Sequence, residues 1–361
     1  MSTIKDIAKY TGLSIATVSK YINGGNVQEC NAVLIAEAIS VLDYRVNLAA
    51  RALKTHRTMI VGVLLPMLTT PFFSSICAVI EGYLKKEGYS IIVCGYYDDP
   101  KEEMEKLRFL INQNVDGILL VPQFISAGEI NEIKEIREHK IPFVLMDRYI
   151  QDYECDRVLV DNSSATYGAV EQFIINGHRR IGIIIGPPDI STAYERRLGY
   201  ERVHQDYSIP IDSSLICVGD YSIGSGYKAM SELMDMTEPP TAVIGTNHEM
   251  TMGAITLAYE RNLHIPNDIS FIGYDEIQLT RIMNPPITVV MQPIAEIAKY
   301  TAEILAMRLR GDDSSYPQVY RLKTELLVHE SIRNLKNGFV SVTNEGAAYI
   351  SRGAHCVSAN K

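Results

Sequence analysis

From Met59 onward, short runs of apolar residues alternate with longer stretches in which apolar and polar residues recur at helical spacing. One series of runs reads MIVGVLLP, YSIIVC, DGILLVP and PFVLMD; a second reads RIGIIIG, LICV, TAVIGT and SFIGY. Runs that are apolar at every position, rather than at every other one, predict parallel strands covered on both faces, with the intervening helices as the cover. Two such series predict two similar α/β lobes with a cleft between them.

The first 58 residues follow a different rhythm. In TIKDIAKY, Thr3 and Asp6 are spaced as a capping box, and Ile4, Ile7 and Ala8 share one helical face. TGLS then offers Gly12 for a turn and Ser14 as the next N-cap. The helix IATVSKYI turns Val18 and Ile22 inward and leaves Ile15, Ala16, Thr17, Ser19 and Lys20 outside. A third helix, from about Glu29 to Tyr44, buries Ile35, Ile39 and Leu42. Two short helices around a glycine turn form a helix-turn-helix, whose second helix fits a major groove. The same spacing also suits a generic three-helix bundle, and on pattern alone both remain open.

Between these regions lies NLAARALKTHRT (47–58). Asn47 is a good N-cap and Ala49 to Lys54 favour helix, yet about ten residues are too few for a helix stable in water by itself. The segment is expected to fold only against a partner.

Charge supports a division of labour. The chain carries 34 Lys+Arg and 43 Asp+Glu, a net charge of −9 over 361 residues. Residues 1–58 contain seven basic and four acidic residues, +3, which leaves −12 for the remainder. A basic piece on an acidic body suggests a nucleic-acid-binding head on a body with another task. The N terminus lacks the apolar run of a signal peptide, and no stretch reaches the ~18 apolar residues of a membrane span. Six scattered cysteines without a CxxC pair read as reduced thiols, so a cytoplasmic protein without membrane contact is expected.

IKDIAKYTGLSIATVSKYINGG followed by YRVNLAARALKTHRTMIVGVLLP resembles the start of a LacI–GalR (lactose-repressor/galactose-repressor) family regulator, and the similarity runs to about residue 335. The resemblance implies a helix-turn-helix head (1–46), a hinge helix (47–58), a periplasmic-binding-protein-like core (59–335) and a flexible tail (336–361). Within the core it implies lobe one at about 59–161 and 292–322, and lobe two at about 162–291 and 323–335. It further implies a homodimeric repressor on a pseudo-palindromic operator in double-stranded DNA, governed by a small-molecule effector, with no cofactor and no metal. By the same resemblance, Ile15, Ala16 and Lys20 face base edges. Lys20 can donate to guanine, whereas Ile15 and Ala16 can only pack. Thr17, Ser19 and Asn23 suit phosphate oxygens. The paired hinge helices insert Leu53 between base pairs in the minor groove, with Arg51 and Lys54 alongside. Val46 stands where the family usually has proline. The tail lacks the leucine heptads of tetrameric relatives, so a dimer is expected.

Loops at the carboxyl ends of parallel strands are where ligands bind in such sheets. Here they carry TTPFF (Phe72, Phe73), MDR (Asp147), STAYERR (Arg196), GDY (Tyr221), TNHE (Asn247), GYDE (Asp275) and MQP (Gln292), each at a position where the family contacts its effector. The carboxylates can accept from vicinal hydroxyls, Arg196 can donate a fork of hydrogen bonds, and an aromatic ring can stack on a sugar face. His248 replaces the usual aspartate after the asparagine. Ile190 is apolar where purine-responsive relatives are basic, which favours a sugar or sugar phosphate. Enzyme readings fare poorly. GSGYKA (224–229) matches a loose dinucleotide fingerprint but is separated from its strand by GDYSI, and no P-loop, GxSxG or HExxH occurs. Two alternatives differ in class. A transport solute-binding protein would need export and would lack the IATVSK helix. A global regulator controlled by a partner protein would leave the cleft secondary, and a pull-down separates that case.

Overall fold

The computed structural model describes residues 2–44, 57–123, 131–275 and 278–336. The hinge positions Arg51, Leu53 and Lys54, and the tail from residue 337, lie outside them.

The head is three helices: α1 (Ile4–Thr11), α2 (Ile15–Ile22) and α3 (Glu29–Val41). The Thr3 N–H and Oγ1 both donate to Asp6 Oδ2, at 2.8 and 2.7 Å, and pin the start of α1. Ile7, Ala8, Val18, Ile35 and Ala38 form the small core, with Ile4, Ile22, Ile39 and Leu42 packed around it. Ala38 is fully buried, a small residue that a pattern of large apolar side chains underrates. Ile39 and Leu42, expected inside, lie at the edge of this core.

The body contains two six-stranded sheets. In chain order the strands are β1 (Ile60–Leu65), β2 (Ser90–Gly95), β3 (Gly117–Leu120), β4 (Phe143–Asp147), β5 (Arg157–Val160), β6 (Ile181–Ile185), β7 (Ile216–Val218), β8 (Ala242–Gly245), β9 (Ser270–Tyr274), β10 (Thr288–Met291), β11 (Val319–Leu322) and β12 (Glu325–Leu327). The first sheet runs β11-β5-β4-β3-β1-β2 and the second β12-β10-β9-β8-β6-β7. All pairings are parallel except β10 with β12. The chain therefore crosses between sheets after β5, after β10 and after β11. The eight apolar runs become β1 to β4 and β6 to β9. The antiparallel edge strand β12 departs from the all-parallel expectation: the two-residue link from β11 leaves no room for a crossover helix.

Both faces of each sheet are covered. Val61, Val63 and Leu65 of β1 join Leu119 of β3 under the helices Pro71–Lys86 and Ile294–Leu309. Leu64, Ile118 and Leu120 pack against the helix Pro100–Asn112 on the other side. In the second lobe Ile181, Ile183 and Ile185 meet Phe173, Tyr200 and Val203, while Ile184 meets Met230 and Met250 on the opposite face. Two covered faces explain why these strands are apolar throughout.

The second glycine of GSGYKA serves packing. A Cβ on Gly226 would lie 2.3 Å from the Met250 carbonyl oxygen, so the helix Ile223–Met234 can press against the helix His248–Glu260 only without one.

Candidate DNA-reading helix and inter-lobe cleft

Helix α2 is built to present its outer face. Ser14 Oγ accepts from the Thr17 N–H at 3.1 Å and shares a 2.9 Å hydrogen bond with Thr17 Oγ1. At the other end Gly24, at φ 76°, closes a Schellman turn: its N–H donates to Tyr21 O at 2.9 Å and that of Gly25 to Lys20 O at 2.8 Å. Between these caps only Val18 is fully buried, and Ile15, Ala16 and Lys20 are exposed. Ile15, half exposed, is an apolar residue with no packing role in the head. Thr17 and Ser19 are partly buried, and Asn23 Nδ2 donates to Ser19 O at 2.7 Å. These three polar residues therefore hold the helix ends together as well as facing outward.

The cleft forms where strand ends of the two lobes meet. Asp147 ends β4, Asp275 directly follows β9, and Tyr221 lies beyond β7. All three adopt left-handed backbone, at φ 64°, 62° and 64°. Non-glycine residues in that region carry strain that persists only where surroundings hold it, and here it aims three side chains into one space. Gly186 permits the Tyr221 ring to lie against the chain, since a Cβ there would sit 2.1 Å from the ring.

Asn247 caps the helix His248–Glu260 through Oδ1, which accepts from the Met250 N–H at 2.9 Å, while Nδ2 donates to Glu249 Oε2 at 2.9 Å. Gln292 Nε2 donates to Asp275 Oδ1 at 2.8 Å. Buried Arg196 donates from Nε to Asn162 Oδ1 at 2.8 Å and from Nη1 to Thr246 O, with its guanidinium 4.3 Å from the Tyr274 ring centroid. Phe72 and Phe73 stand edge to face, 5.1 Å apart, in the first turn of their helix.

All eight expected residues, Phe72, Phe73, Asp147, Arg196, Tyr221, Asn247, Asp275 and Gln292, line one cleft. Asp98, Arg148, Thr192 and Glu249 line it too. Arg148 and Glu249 sit beside anticipated residues, in MDR and TNHE, and their charge next to a strand end was the available signal. Arg148 reaches Asp98 and Tyr96 Oη at 3.4 Å. Ile190 is buried and is absent from the described cleft lining, so its apolar character says nothing direct about the ligand. His248 is likewise absent from that lining.

The electrostatics follow from burial. Loss of water raises the Asp147 carboxyl to about 6, against the pull of Arg148 and Arg196, and the Glu249 carboxyl to about 7. Burial also raises Asp275, opposed by the Gln292 hydrogen bond. Asp147 Oδ1 and Gln292 Oε1 are buried without a hydrogen-bond partner. Such acceptors are costly unless something else donates to them.

Among the described residues no group of His, Cys, Asp and Glu is placed to hold a metal, and no helix is long and apolar enough to cross a membrane.

Comparison with known proteins agrees with this architecture. The repressor PurR of Actinobacillus pleuropneumoniae serotype 3 (strain JL03) is 32% identical over 337 residues, covering 93% of this chain and 99% of that protein. PurR of Aliivibrio fischeri (strain MJ11) is 32% identical over 92% of this chain and 99% of its own length. Among solved structures, the Lac repressor dimer bound to operator and the anti-inducer ONPF has a TM-score of 0.81 at 21% identity, covering 92% of this chain and 99% of that one. A complex of the transcriptional regulator CelR with cellobiose has a TM-score of 0.69 at 26% identity, covering 92% and 100%. Residues 3–47 match the family model for bacterial regulatory proteins of the lacI family, and residues 58–316 match that for periplasmic binding proteins and the sugar binding domain of the LacI family. The chain belongs to the LacI family of bacterial regulatory proteins.

Proposed function

We propose that this regulator is a homodimeric repressor whose affinity for a pseudo-palindromic operator is set by a hydroxyl-rich ligand bound between its lobes. The carrying observation is that one cleft takes its walls from both lobes: Phe73 and Asp147 from the first, Arg196, Tyr221 and Asp275 from the second. A ligand that touches both walls favours one lobe orientation, and only that difference in affinity can move an equilibrium. The dimeric, operator-bound Lac repressor and the cellobiose complex of CelR support this reading by likeness.

We assign residues 1–46 to the DNA-binding head, 47–58 to a hinge that folds on operator, and 59–335 to the ligand-binding core. Lobe one comprises about 59–161 and 292–322, and lobe two about 162–291 and 323–335. Lys20 reads a base pair in each half-site, with Ile15 and Ala16 packing beside it. Thr17, Ser19 and Asn23 position the helix on phosphates, Leu53 is the minor-groove wedge, and Arg51 and Lys54 flank it. The cleft residues Phe72, Phe73, Asp147, Arg196, Tyr221, Asn247, Asp275 and Gln292 hold the effector.

Readout is tested by selecting binding sites from a randomised duplex pool. Wild type should return a two-fold symmetric sequence, and Lys20→Ala should relax one base pair per half-site by about 1–3 kcal/mol. Equal weakening on every sequence would reduce Lys20 to a phosphate contact.

A further inference from the structure

The charges lining the cleft do not balance. Among the described residues its walls hold four carboxylates, Asp98, Asp147, Glu249 and Asp275, and two guanidiniums, Arg148 and Arg196. Both guanidiniums have partners on the protein. Arg148 faces Asp98 at 3.4 Å, and Arg196 is engaged with Asn162, Thr246 O and the Tyr274 ring. Asp147, 6% exposed, keeps Oδ1 without a partner, as does Gln292, also 6% exposed, at Oε1. Arg148 Nε is the cleft donor left over, and it suits a ligand hydroxyl oxygen. Glu249 supplies the excess: Asn247 orients it through a neutral hydrogen bond, and among the described residues no cation stands against it.

A phosphorylated ligand would add negative charge to walls that already carry a surplus. A neutral polyol could donate to the orphan acceptors but would leave Asp147 and Glu249 in the partly protonated state that burial favours, whereas a cation would let them ionise and form charge-assisted hydrogen bonds. Burial raises Asp147 and Glu249, and Asp275 adds to it for both, Asp147 on the opposite wall and Glu249 on its own, so a cation lodged among the three would favour the ionised form of each. We infer that the cleft takes a polyhydroxylated ligand that carries a protonated amine, such as an amino sugar, with the ammonium held among Asp147, Glu249 and Asp275. This rests on the reading of the cleft as the effector site and narrows its ligand class.

The test is calorimetric titration of the full-length protein, near neutral pH, with three matched sets. Each contains a hexose, its 2-amino form and its 6-phosphate, in the gluco, galacto and manno series. In at least one set the amine should bind about tenfold more tightly than both counterparts, as expected of charge-assisted hydrogen bonds replacing neutral ones. Glu249→Gln should cut that advantage to about threefold or less, and Glu249→Asp should retain most of it. Thermal melting of each unliganded variant checks that it is folded, and the wild-type panel decides the matter even if one is not. A neutral or phosphorylated hexose that matches or beats its amine in every set overturns the inference, as does failure of every amine to bind. Undiminished preference in a folded Glu249→Gln variant overturns it too. The wider reading fails separately. If the best ligand binds Asp275→Ala as it binds wild type, the site lies elsewhere; if a neutral hexose binds and loses affinity in Asp275→Ala, the cleft stands and only the amine falls.

Discussion

The two lobes share one strand order, yet they treat equivalent aspartates differently. In the first sheet β4 ends in Asp147; in the second its counterpart β9 is followed by Asp275. Both sit in left-handed backbone, both face the cleft, and burial raises both. Asp275 is already committed, because Gln292 donates to its Oδ1. Asp147 keeps one oxygen unpartnered and has the buried Arg148 next to it in the chain. Repetition of a fold thus placed two carboxylates face to face, and local partners made one a fixed acceptor and the other an open one. The difference teaches that the first lobe holds the acceptor a ligand must satisfy, while the second holds a preset anchor.

The sharpest break of this pairing is Asp275→Ala. It removes a buried, oriented acceptor and strands Gln292 Nε2, so ligand affinity should fall by about a hundredfold, the cost of a charged hydrogen bond plus an orphaned donor. Asp147→Ala should weaken binding by about tenfold, because no protein donor is orphaned with it. Calorimetry on both variants checks the order, and an equal loss would remove the distinction between anchor and open acceptor.

A middle-sized effect concerns closure. Arg321 of β11, in the first sheet, donates to Glu195 of the second lobe at 2.8 Å, and the Tyr149 N–H donates to Ser191 Oγ at 3.1 Å. These contacts hold the lobes together without ligand. Glu195→Gln should lower ligand affinity by about two- to fivefold, the scale of a partly exposed ion pair. Unchanged affinity would mean that the pair does not bias lobe orientation.

The smallest effect is a pH dependence of the unliganded protein. The ordinary values of Asp147 and Glu249 are 3.8 and 4.5, and burial raises them to about 6 and about 7 in the fold. The folded state therefore binds these protons more tightly than the unfolded chain. The stability this contributes is fully present below about pH 4 and is lost as pH rises through 6 and 7. Melting temperature measured from about pH 5 to about pH 8 should fall less steeply in Asp147→Asn and Glu249→Gln than in wild type. Parallel curves would mean that these carboxyls are as hydrated in the fold as outside it.

Much of this was readable from residues because burial on both faces leaves a blunt signature: MIVGVLLP or RIGIIIG can hardly be anything but an inner strand. Strands β5 and β10 open on the polar residues Arg157 and Thr288, which shortens their apolar signature, and the edge strands β11 and β12 are half exposed, with polar residues interleaved. The carboxylates at strand ends were legible for a topological reason, since the ends of parallel strands define where ligands sit. Glu249 and Arg148 were harder. Each is one residue or two from an expected position, and what makes it part of the cleft is burial against distant segments, which a local pattern does not encode. Ile190 differs in the opposite way: its position near the cleft was readable, but it is buried and outside the described cleft lining.

The central claim is that lobe orientation, set in the cleft, governs operator binding. It is tested most directly by titrating selected operator with wild type and Asp275→Ala, each without ligand and with the tightest-binding panel hexose at about tenfold its wild-type Kd, which saturates wild type and leaves the roughly hundredfold weaker variant largely unliganded. Wild type should change operator affinity by roughly 5- to 150-fold on adding the ligand, and operator should change ligand affinity by the same factor. Asp275→Ala should bind operator as wild type does without ligand and show no response when it is added. A mutant that responds like wild type would contradict the account and place regulation outside the cleft.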